Sequence, residues 1–445
     1  MSTSLLQICL ALIVSITGII LLTRYLNLHA FFSLLIASIT FGLLVGKSFL
    51  ETLNAMQSGF GSLLQQIGLL VAVGSCLGML LEKTGAMEVI GYRVITFFGV
   101  RHSVFAMITI GVIVGIPVFC DSGFIILSRL IASVATQSTA NTAQLSLALS
   151  SGLYTTHVLV PPTPGPLAAA ANFNFSEHIS SLIFISMLAS IPVALVSYFF
   201  SIKLGSNMKA DQLITGLKSD RRNISAWKAF LPLILPILLI ASASIPNLIS
   251  LPEKSISLVR IIGHPVVALM IGLLLSSLLI KKNDTKEIPL WISTALKDAG
   301  IILLITGAGG AFGAVIKTSG IDLLLKDYVS ASSSQGIIFI FIAFVIAATL
   351  KTAQGSSTSS IIITSSLLAP LAFSAGFVSP TQLSVLVVAI GGGAMTVSHA
   401  NDSYFWVVSQ FSGISPRDAF RSFTLLTLAQ GITVLITSIL LYLVV

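Results

Sequence analysis

A polar interruption stands inside a long apolar segment at Gly115-Ile116-Pro117-Val118-Phe119-Cys120-Asp121-Ser122-Gly123. It combines a proline and a carboxylate with a glycine at each end. Non-helical backbone is tolerated at membrane depth only where protein buries it or where it lines a water-filled cavity. A charged side chain at that depth costs roughly 2.5–3.5 kcal/mol on insertion scales, so its presence indicates a function. We therefore predict that this stretch is the tip of a re-entrant helical hairpin, residues 103–138, that faces a solute.

The composition of the whole chain indicates a membrane protein. Of its 445 residues, 55% are hydrophobic and only 9% are charged, whereas soluble domains carry about 25% charged residues. Apolar runs of about 18 or more residues recur along the sequence, and each can cross a hydrocarbon core of about 30 Å. We predict an all-α polytopic membrane protein. The net charge of +8 comes from Lys and Arg in short loops, which set topology, so no nucleic-acid partner is expected.

The orientation in the membrane follows from the basic loops. Residues 201–228 contain six Lys or Arg side chains and two Asp side chains, so this loop is predicted to be cytoplasmic. A second basic loop, with Lys281, Lys282 and Lys286, comes two spans later. An even number of crossings returns it to the same side, which makes the predicted topology consistent.

The second half of the chain repeats the first at an offset of 235 positions. Residues 74–78 align with 309–313, and the tip at 115–123 falls on 350–358, inside a second polar break that runs from Lys351 to Ser360. We predict a first repeat at 1–200, the cytoplasmic loop at 201–228 and a second repeat at 229–445. The second repeat has its own hairpin at 335–375. Broken helices are expected near 157–166 and 399–402.

The topology count gives the two repeats opposite orientations. One hairpin then enters from the cytoplasm and the other from outside. Inverted repeats with broken helices that meet near the midplane are typical of secondary transporters. The pattern therefore favours alternating access over a passive channel with a continuous pore.

Two aspartates are candidates for binding the coupling ion. Asp121 lies at the first tip, and Asp402 lies at the second broken helix. Ionisable residues inside the membrane commonly form proton relays. For Asp121 the alternative is an ion pair with Arg129, two helical turns later. Lys351 could supply a counter-charge to an anionic solute or could neutralise Asp121.

The polar residues of the breaks are candidates for binding the substrate. Hydroxyl groups and backbone N–H groups at the start of a half-helix suit a carboxylate or polyhydroxyl ligand. The alternative is that small hydroxylated residues only pack helices together. The candidate set comprises Ser122, Thr156, His157, Gly355, Ser356, Ser357, Thr358, His399 and Asn401. The two histidines lack the partners that a zinc site needs, and no nucleophile–base arrangement is present, so neither a cofactor, a metal nor an enzyme activity is expected.

Four motifs resemble the gluconate permease (GntP) family. They are residues 115–117, 307–312, 402–406 and above all Thr156-His157-Val158-Leu159-Val160-Pro161-Pro162-Thr163-Pro164-Gly165-Pro166. The resemblance covers essentially the whole chain. It implies a bacterial inner-membrane symporter that uses protons to import gluconate or a related sugar acid or hydroxy acid. D-Serine is also carried within the family. The resemblance further implies the ion-transporter superfamily architecture, with scaffold and transport domains, two hairpins and often a dimer that works as an elevator.

The chain departs from the family pattern at two places. Cys120-Asp121-Ser122-Gly123 replaces a Phe-Glu-Val-Gly sequence, and Thr163 replaces a histidine. A shorter acid and an added hydroxyl could retune the site, so short hydroxy acids such as glycerate or lactate are alternatives to gluconate. We expect an importer of a small carboxylate, coupled to protons, or alternatively to sodium.

Overall fold

The computed structural model describes residues 5–445 except 27, 207, 209–223, 243–252, 282–283, 321–332 and 400–401. The described residues form helices and no strands. The first half contains α1 Leu5–Arg24, α2 Ala30–Leu44, α3 Phe49–Lys83, α4 Ala86–Phe98, α5 Ser103–Gly115, α6 Cys120–Ala135, α7 Thr142–Leu159, α8 Pro164–Asn172 and α9 Ile179–Gly205. The second half contains α10 Ala226–Ser242, α11 Glu253–Ile262, α12 Pro265–Ser276, α13 Ile288–Thr318, α14 Ser333–Gln354, α15 Ser357–Ala372, α16 Pro380–Met395, α17 Ser403–Ser412 and α18 Pro416–Tyr442.

Five of the described helices are long and apolar enough to cross a membrane: α3, Ser176–Gly205, α13, Gly336–Gln354 and α18. In addition, α4 and the following segment Val100–Gly115 meet at a bend of 105°. The prediction of an all-α polytopic membrane protein is therefore confirmed.

Local sequence signals explain where several helices begin. Before α3, the Ser48 side chain accepts a hydrogen bond from the Glu51 N–H group, and Glu51 accepts one from the Ser48 N–H group in return. Asn141 and Gln144 form the same reciprocal cap at the start of α7. Each cap satisfies two N–H groups that have no partner inside the helix.

The two longest helices, α3 and α13, cross at a pair of glycines. A Cβ atom added to Gly59 would overlap the carbonyl oxygen of Gly310, and one added to Gly310 would lie 2.6 Å from the carbonyl oxygen of Gly59. Only glycine lets the two backbones approach this closely, as at small-residue interfaces in membranes. This crossing joins the first half of the chain to the second.

Four of the breaks between consecutive helices fall where the sequence predicts an interruption. They lie between α5 and α6, between α7 and α8, between α14 and α15, and between α16 and α17. The first and third fall within the segments predicted as hairpins, and the other two coincide with the predicted broken helices.

The helices of the two halves follow the same order. Each of α2, α3, α6, α7, α8 and α9 has a counterpart that begins 235 to 239 positions later, namely α12, α13, α15, α16, α17 and α18. The order of the helices thus parallels the offset seen in the sequence. Inversion of the two halves across the membrane and the predicted domain bounds stay predictions.

Candidate functional site

A buried ion pair joins two residues of the second half of the chain. Lys351, in the last turn of α14, is 1% exposed, and its Nζ atom lies 2.5 Å from Oδ2 of Asp402. The same ammonium group donates a hydrogen bond of 2.6 Å to the carbonyl oxygen of Gly355. Sequence reasoning placed Lys351 opposite an anionic solute or opposite Asp121, whereas the structure pairs it with Asp402.

The Asp402 carboxylate is held from several directions. Its Oδ1 atom accepts a hydrogen bond of 3.1 Å from the N–H group of Tyr404, so Asp402 caps the start of α17. Its Oδ2 atom also accepts a hydrogen bond from the Ser398 hydroxyl. A buried charge is tolerated when it is both paired and hydrogen-bonded. These contacts fix the carboxylate and the second broken helix relative to each other.

The second hairpin tip is a two-residue break before α15. Gly355 adopts a φ angle of +80°, a conformation that residues with a Cβ atom rarely take. Ser356 then caps α15 by accepting a hydrogen bond of 3.2 Å from the N–H group of Ser359. The N-terminus of α15 presents backbone N–H groups that have no partner in the helix, an arrangement that suits an anion. Ser356 and Thr358 at this end of the helix are partly exposed.

Tyr154 connects the second tip to α7. Its hydroxyl lies 2.7 Å from the hydroxyl oxygen of Ser357, 203 residues away in the sequence. The Nζ atom of Lys351 also lies 5.8 Å from the centre of the Tyr154 ring, within the range of a cation–π contact. Tyr154 therefore touches both the tip and the lysine. The sequence analysis did not include Tyr154 among the candidates, although it lies within one helical turn of the candidates Thr156 and His157.

The first tip carries Asp121 in the first turn of α6. Its Oδ1 atom is buried and has no hydrogen-bond partner among the described residues. Its Oδ2 atom accepts a weak hydrogen bond of 3.8 Å from the thiol of Cys120. Asp121 also interacts electrostatically with Asp402 and Lys351. The structure therefore brings both predicted proton carriers into one electrostatic cluster. The predicted alternative partner, Arg129, has a side chain outside the described part of the chain.

His157 lies beside the first tip. It belongs to the last turn of α7, is 8% exposed, and its ring centre lies 5.8 Å from that of Phe119. Its Nδ1 atom is buried without a hydrogen-bond partner in the described part of the structure. The imidazole borders a cavity of about 20 Å³ that Pro117 and Thr163 also line.

The remaining candidates occupy different surroundings. Thr156 is buried, and its hydroxyl donates to the Gly152 carbonyl at 3.4 Å and faces Gly115, so it packs α7 against α5. His399 lies near the second tip, with Nε2 3.2 Å from the carbonyl oxygen of Thr352. Ser122 is partly exposed at the first tip. Asn401 lies outside the described residues.

Comparison with known proteins identifies the family of this chain. The sequence profile described as GntP family permease matches residues 6–444. The chain belongs to this family. An uncharacterised permease of Haemophilus influenzae is 31% identical, with 91% of this chain and 86% of the relative covered. A gluconate permease of Zymomonas mobilis is 29% identical, with 95% of each chain covered.

A solved structure shares the fold at low sequence identity. The YdaH transporter of Alcanivorax borkumensis superposes with a TM-score of 0.54 and 15% identity, over 87% of this chain and 86% of the transporter. Together with the apolar helices, the bacterial relatives identify this GntP family permease as a multi-pass protein of the inner membrane. The most specific family motif, residues 156–166, forms the end of α7, the break and the start of α8.

Proposed function

We propose that this permease imports gluconate or a closely related small hydroxy acid or sugar acid together with a proton. The gluconate permeases among its relatives support the substrate class. The observation that carries the proposal is the buried Lys351–Asp402 ion pair beside the open N-terminus of α15. A lysine and a helix N-terminus at one place form an anion site in a setting that otherwise disfavours charge.

The substrate carboxylate is assigned to the second tip. Gly355, Ser356 and Thr358 offer backbone N–H groups and hydroxyls there, and Lys351 adds a positive charge within the same group of residues. Ser357 is already bonded to Tyr154 and positions the tip. The hydroxyls of the substrate are assigned to Ser122 at the first tip and to polar side chains of the two broken helices, which are Thr156, His157, His399 and Asn401.

The charge balance of the site accounts for coupling to a proton. Lys351 carries one positive charge, and Asp402 and Asp121 carry two negative charges when both are ionised. A bound carboxylate raises the excess of negative charge further, which is unfavourable in a low-dielectric interior. A proton on Asp121 removes one of these charges. Proton and anion therefore favour each other's binding, and this coupling is reciprocal.

The broken helices supply the moving parts of the transport cycle. We assign alternating access to an elevator-like motion of the two tips and broken helices against the crossed pair α3 and α13, in a homodimer. Helix ends that face a central solute are the usual arrangement in transporters of this kind. Asp402 is the second candidate proton carrier, but its three contacts make Asp121 the freer group.

A binding screen tests the substrate class. Thermal unfolding of the purified permease would be measured with gluconate, fructuronate, glycerate, lactate and D-serine. A ligand at 100 times its Kd stabilises the folded state by about 2.7 kcal/mol, so the correct acid should raise the unfolding temperature in proportion to the logarithm of its concentration. Unchanged unfolding with every acid would exclude a small-carboxylate substrate.

Uptake into proteoliposomes tests the coupling. An inward proton gradient should drive accumulation of the acid above its external concentration, and replacement of sodium by choline should change nothing. Loss of uptake in choline would show sodium coupling instead. Equilibration without accumulation would show a passive channel.

A further inference from the structure

A second and much larger cavity lies away from the ion pair. It has a volume of about 540 Å³ and is enclosed by α3, α8, α13 and α15 with the turn after α15. Its polar lining includes Ser58, Ser62, Gln66, Asn172, Asn174 and Lys317. A volume of this size is typical of small-molecule sites. No residue that sequence reasoning assigned to substrate or proton binding lines it.

The cavity lies near the start of α9, and the basic loop follows the other end of this helix. Helix α9 runs from Ile179, close after the cavity residue Asn174, to Gly205 at the start of that loop. It has 27 residues, which span about 40 Å. Because the basic loop at 201–228 is predicted to be cytoplasmic, the cavity is expected to open to the outside.

The charge of the lining favours an anion. Among the described residues that line the cavity, Lys317 alone is charged, and it is exposed in the last turn of α13. A cleft with charge of one sign and low-dielectric walls concentrates ions of the opposite sign. A lysine in the last turn also stabilises a helix through its dipole, so an experiment has to separate the two effects.

Two helices connect this cavity to the proposed substrate site. Both α8 and α15 begin beside the site and end at the cavity. Near the site, a Cβ atom added to Gly165 would lie 2.9 Å from Cδ1 of Ile361. At the cavity end, the Asn172 side chain donates to the Ser365 hydroxyl at 2.8 Å and to the Ile362 carbonyl at 3.3 Å. The helices thus pack along the nine residues of α8, a length of about 13 Å.

We propose that this cavity is the outer entrance for the anionic substrate. Lys317 attracts the anion into it, and the packed seam between α8 and α15 is the barrier that separates the entrance from the binding site. The inference rests on the proposed function, because it takes the substrate to be an anion. It adds an access route and a steering residue that take no part in holding the bound substrate.

Uptake kinetics test the role of Lys317. In the Lys317→Gln variant the KM for the transported acid should rise by roughly 2- to 10-fold while the maximal rate is unchanged, because the local anion concentration falls. Added salt should then affect the KM less than in the wild type. Lys317→Arg should behave as the wild type. Lys47→Gln removes a lysine near the start of α3, outside the cavity lining, and should leave the KM unchanged.

Several outcomes would overturn this assignment. They are an unchanged KM in Lys317→Gln, an equal rise in Lys47→Gln, or a loss of maximal rate that parallels a lowered unfolding temperature. The last result would show that Lys317 only stabilises α13.

Thiol labelling tests the sidedness without any transport assay. Ser62→Cys places a thiol at an exposed position of the cavity lining, and it should react with a membrane-impermeant maleimide added to intact cells. Ser206→Cys, beside the basic loop, should react only after permeabilisation. The wild type, which contains Cys9, Cys76 and Cys120, supplies the labelling background. The reverse pattern would place the cavity on the cytoplasmic side and overturn the proposal that it is the outer entrance. If labelling follows the expected pattern while no acid is taken up, the proposed function fails and the outward opening stands.

Discussion

The two hairpin tips of this permease occupy related positions in the chain, but their charged side chains differ in how fully they are paired. At the second tip the Lys351 charge is matched by Asp402 and fixed by the Gly355 carbonyl. At the first tip Asp121 has a buried oxygen without a hydrogen-bond partner in the described structure. The Asp402 carboxylate is thus held by several partners, whereas the Asp121 carboxylate is held only in part. This difference underlies the roles in the proposed function, in which the second tip holds the anion and Asp121 at the first tip exchanges the proton.

The largest expected effect comes from breaking the satisfied pair. Lys351→Met leaves the Asp402 charge buried without its partner, which should cost about 3–5 kcal/mol of folding stability. Thermal unfolding of the purified protein measures the change. The double variant Lys351→Met, Asp402→Asn should regain most of the stability, because no unpaired charge remains. Neither variant should take up the acid. A single variant as stable as the wild type would show that the pair contributes little to the fold.

The next effect concerns the backbone of the second tip. Gly355→Ala forces a Cβ atom onto a residue at φ +80° and should cost about 1–2 kcal/mol. Gly376→Ala is the matched control, because Gly376 has φ +90° and an added Cβ there meets no atom within 4 Å. Both variants should lose similar stability in thermal unfolding, but only Gly355→Ala should lose binding of the acid. Equal binding by the two would remove Gly355 from the substrate site.

A smaller effect is expected from the hydrogen bond between α7 and the second tip. Tyr154→Phe removes the hydroxyl that lies 2.7 Å from that of Ser357, which should cost about 0.5–1.5 kcal/mol and weaken binding. Tyr404→Phe removes a comparable hydrogen bond, 2.9 Å to the Ser150 carbonyl, and should cost similar stability with less effect on the Kd. A cycle of Tyr154→Phe and Ser357→Ala should show coupling. Additive effects in that cycle would mean that the two hydroxyls do not interact.

The sequence was sufficient for the helical breaks but not for the pairing across them. A proline or a glycine within an apolar segment is a local signal, so the interruptions near Pro117, Gly355 and Pro162 could be found without a structure. The Lys351–Asp402 pair joins residues 51 positions apart, and the Tyr154–Ser357 contact joins residues 203 apart. Such pairs depend on how α7, α14, α15 and α17 pack, and residue spacing carries no information about that packing.

The large cavity could not be predicted from the sequence either. Its lining comes from helices that are far apart in the chain, and each polar lining residue taken alone looks like an ordinary serine, asparagine or lysine. By contrast, Asp121 could be singled out because a carboxylate within an apolar stretch is rare wherever the chain folds. Chemistry that is unusual for its local surroundings is readable from sequence, and a site assembled from common residues is not.

The first tip should show the smallest change in stability and the clearest change in coupling. Asp121→Asn keeps the size of the side chain and removes its charge. Because Oδ1 of Asp121 has no hydrogen-bond partner in the described structure, the unfolding temperature should change less than in Lys351→Met. Uptake by this variant should no longer respond to an inward proton gradient, whereas Asp121→Glu, which keeps a titratable carboxyl, should retain part of the response. Binding of the acid should become less dependent on pH, because the group that exchanges the proton with the bound anion is gone. Full gradient-driven accumulation by Asp121→Asn would instead exclude Asp121 as the proton carrier and leave Asp402 as the candidate.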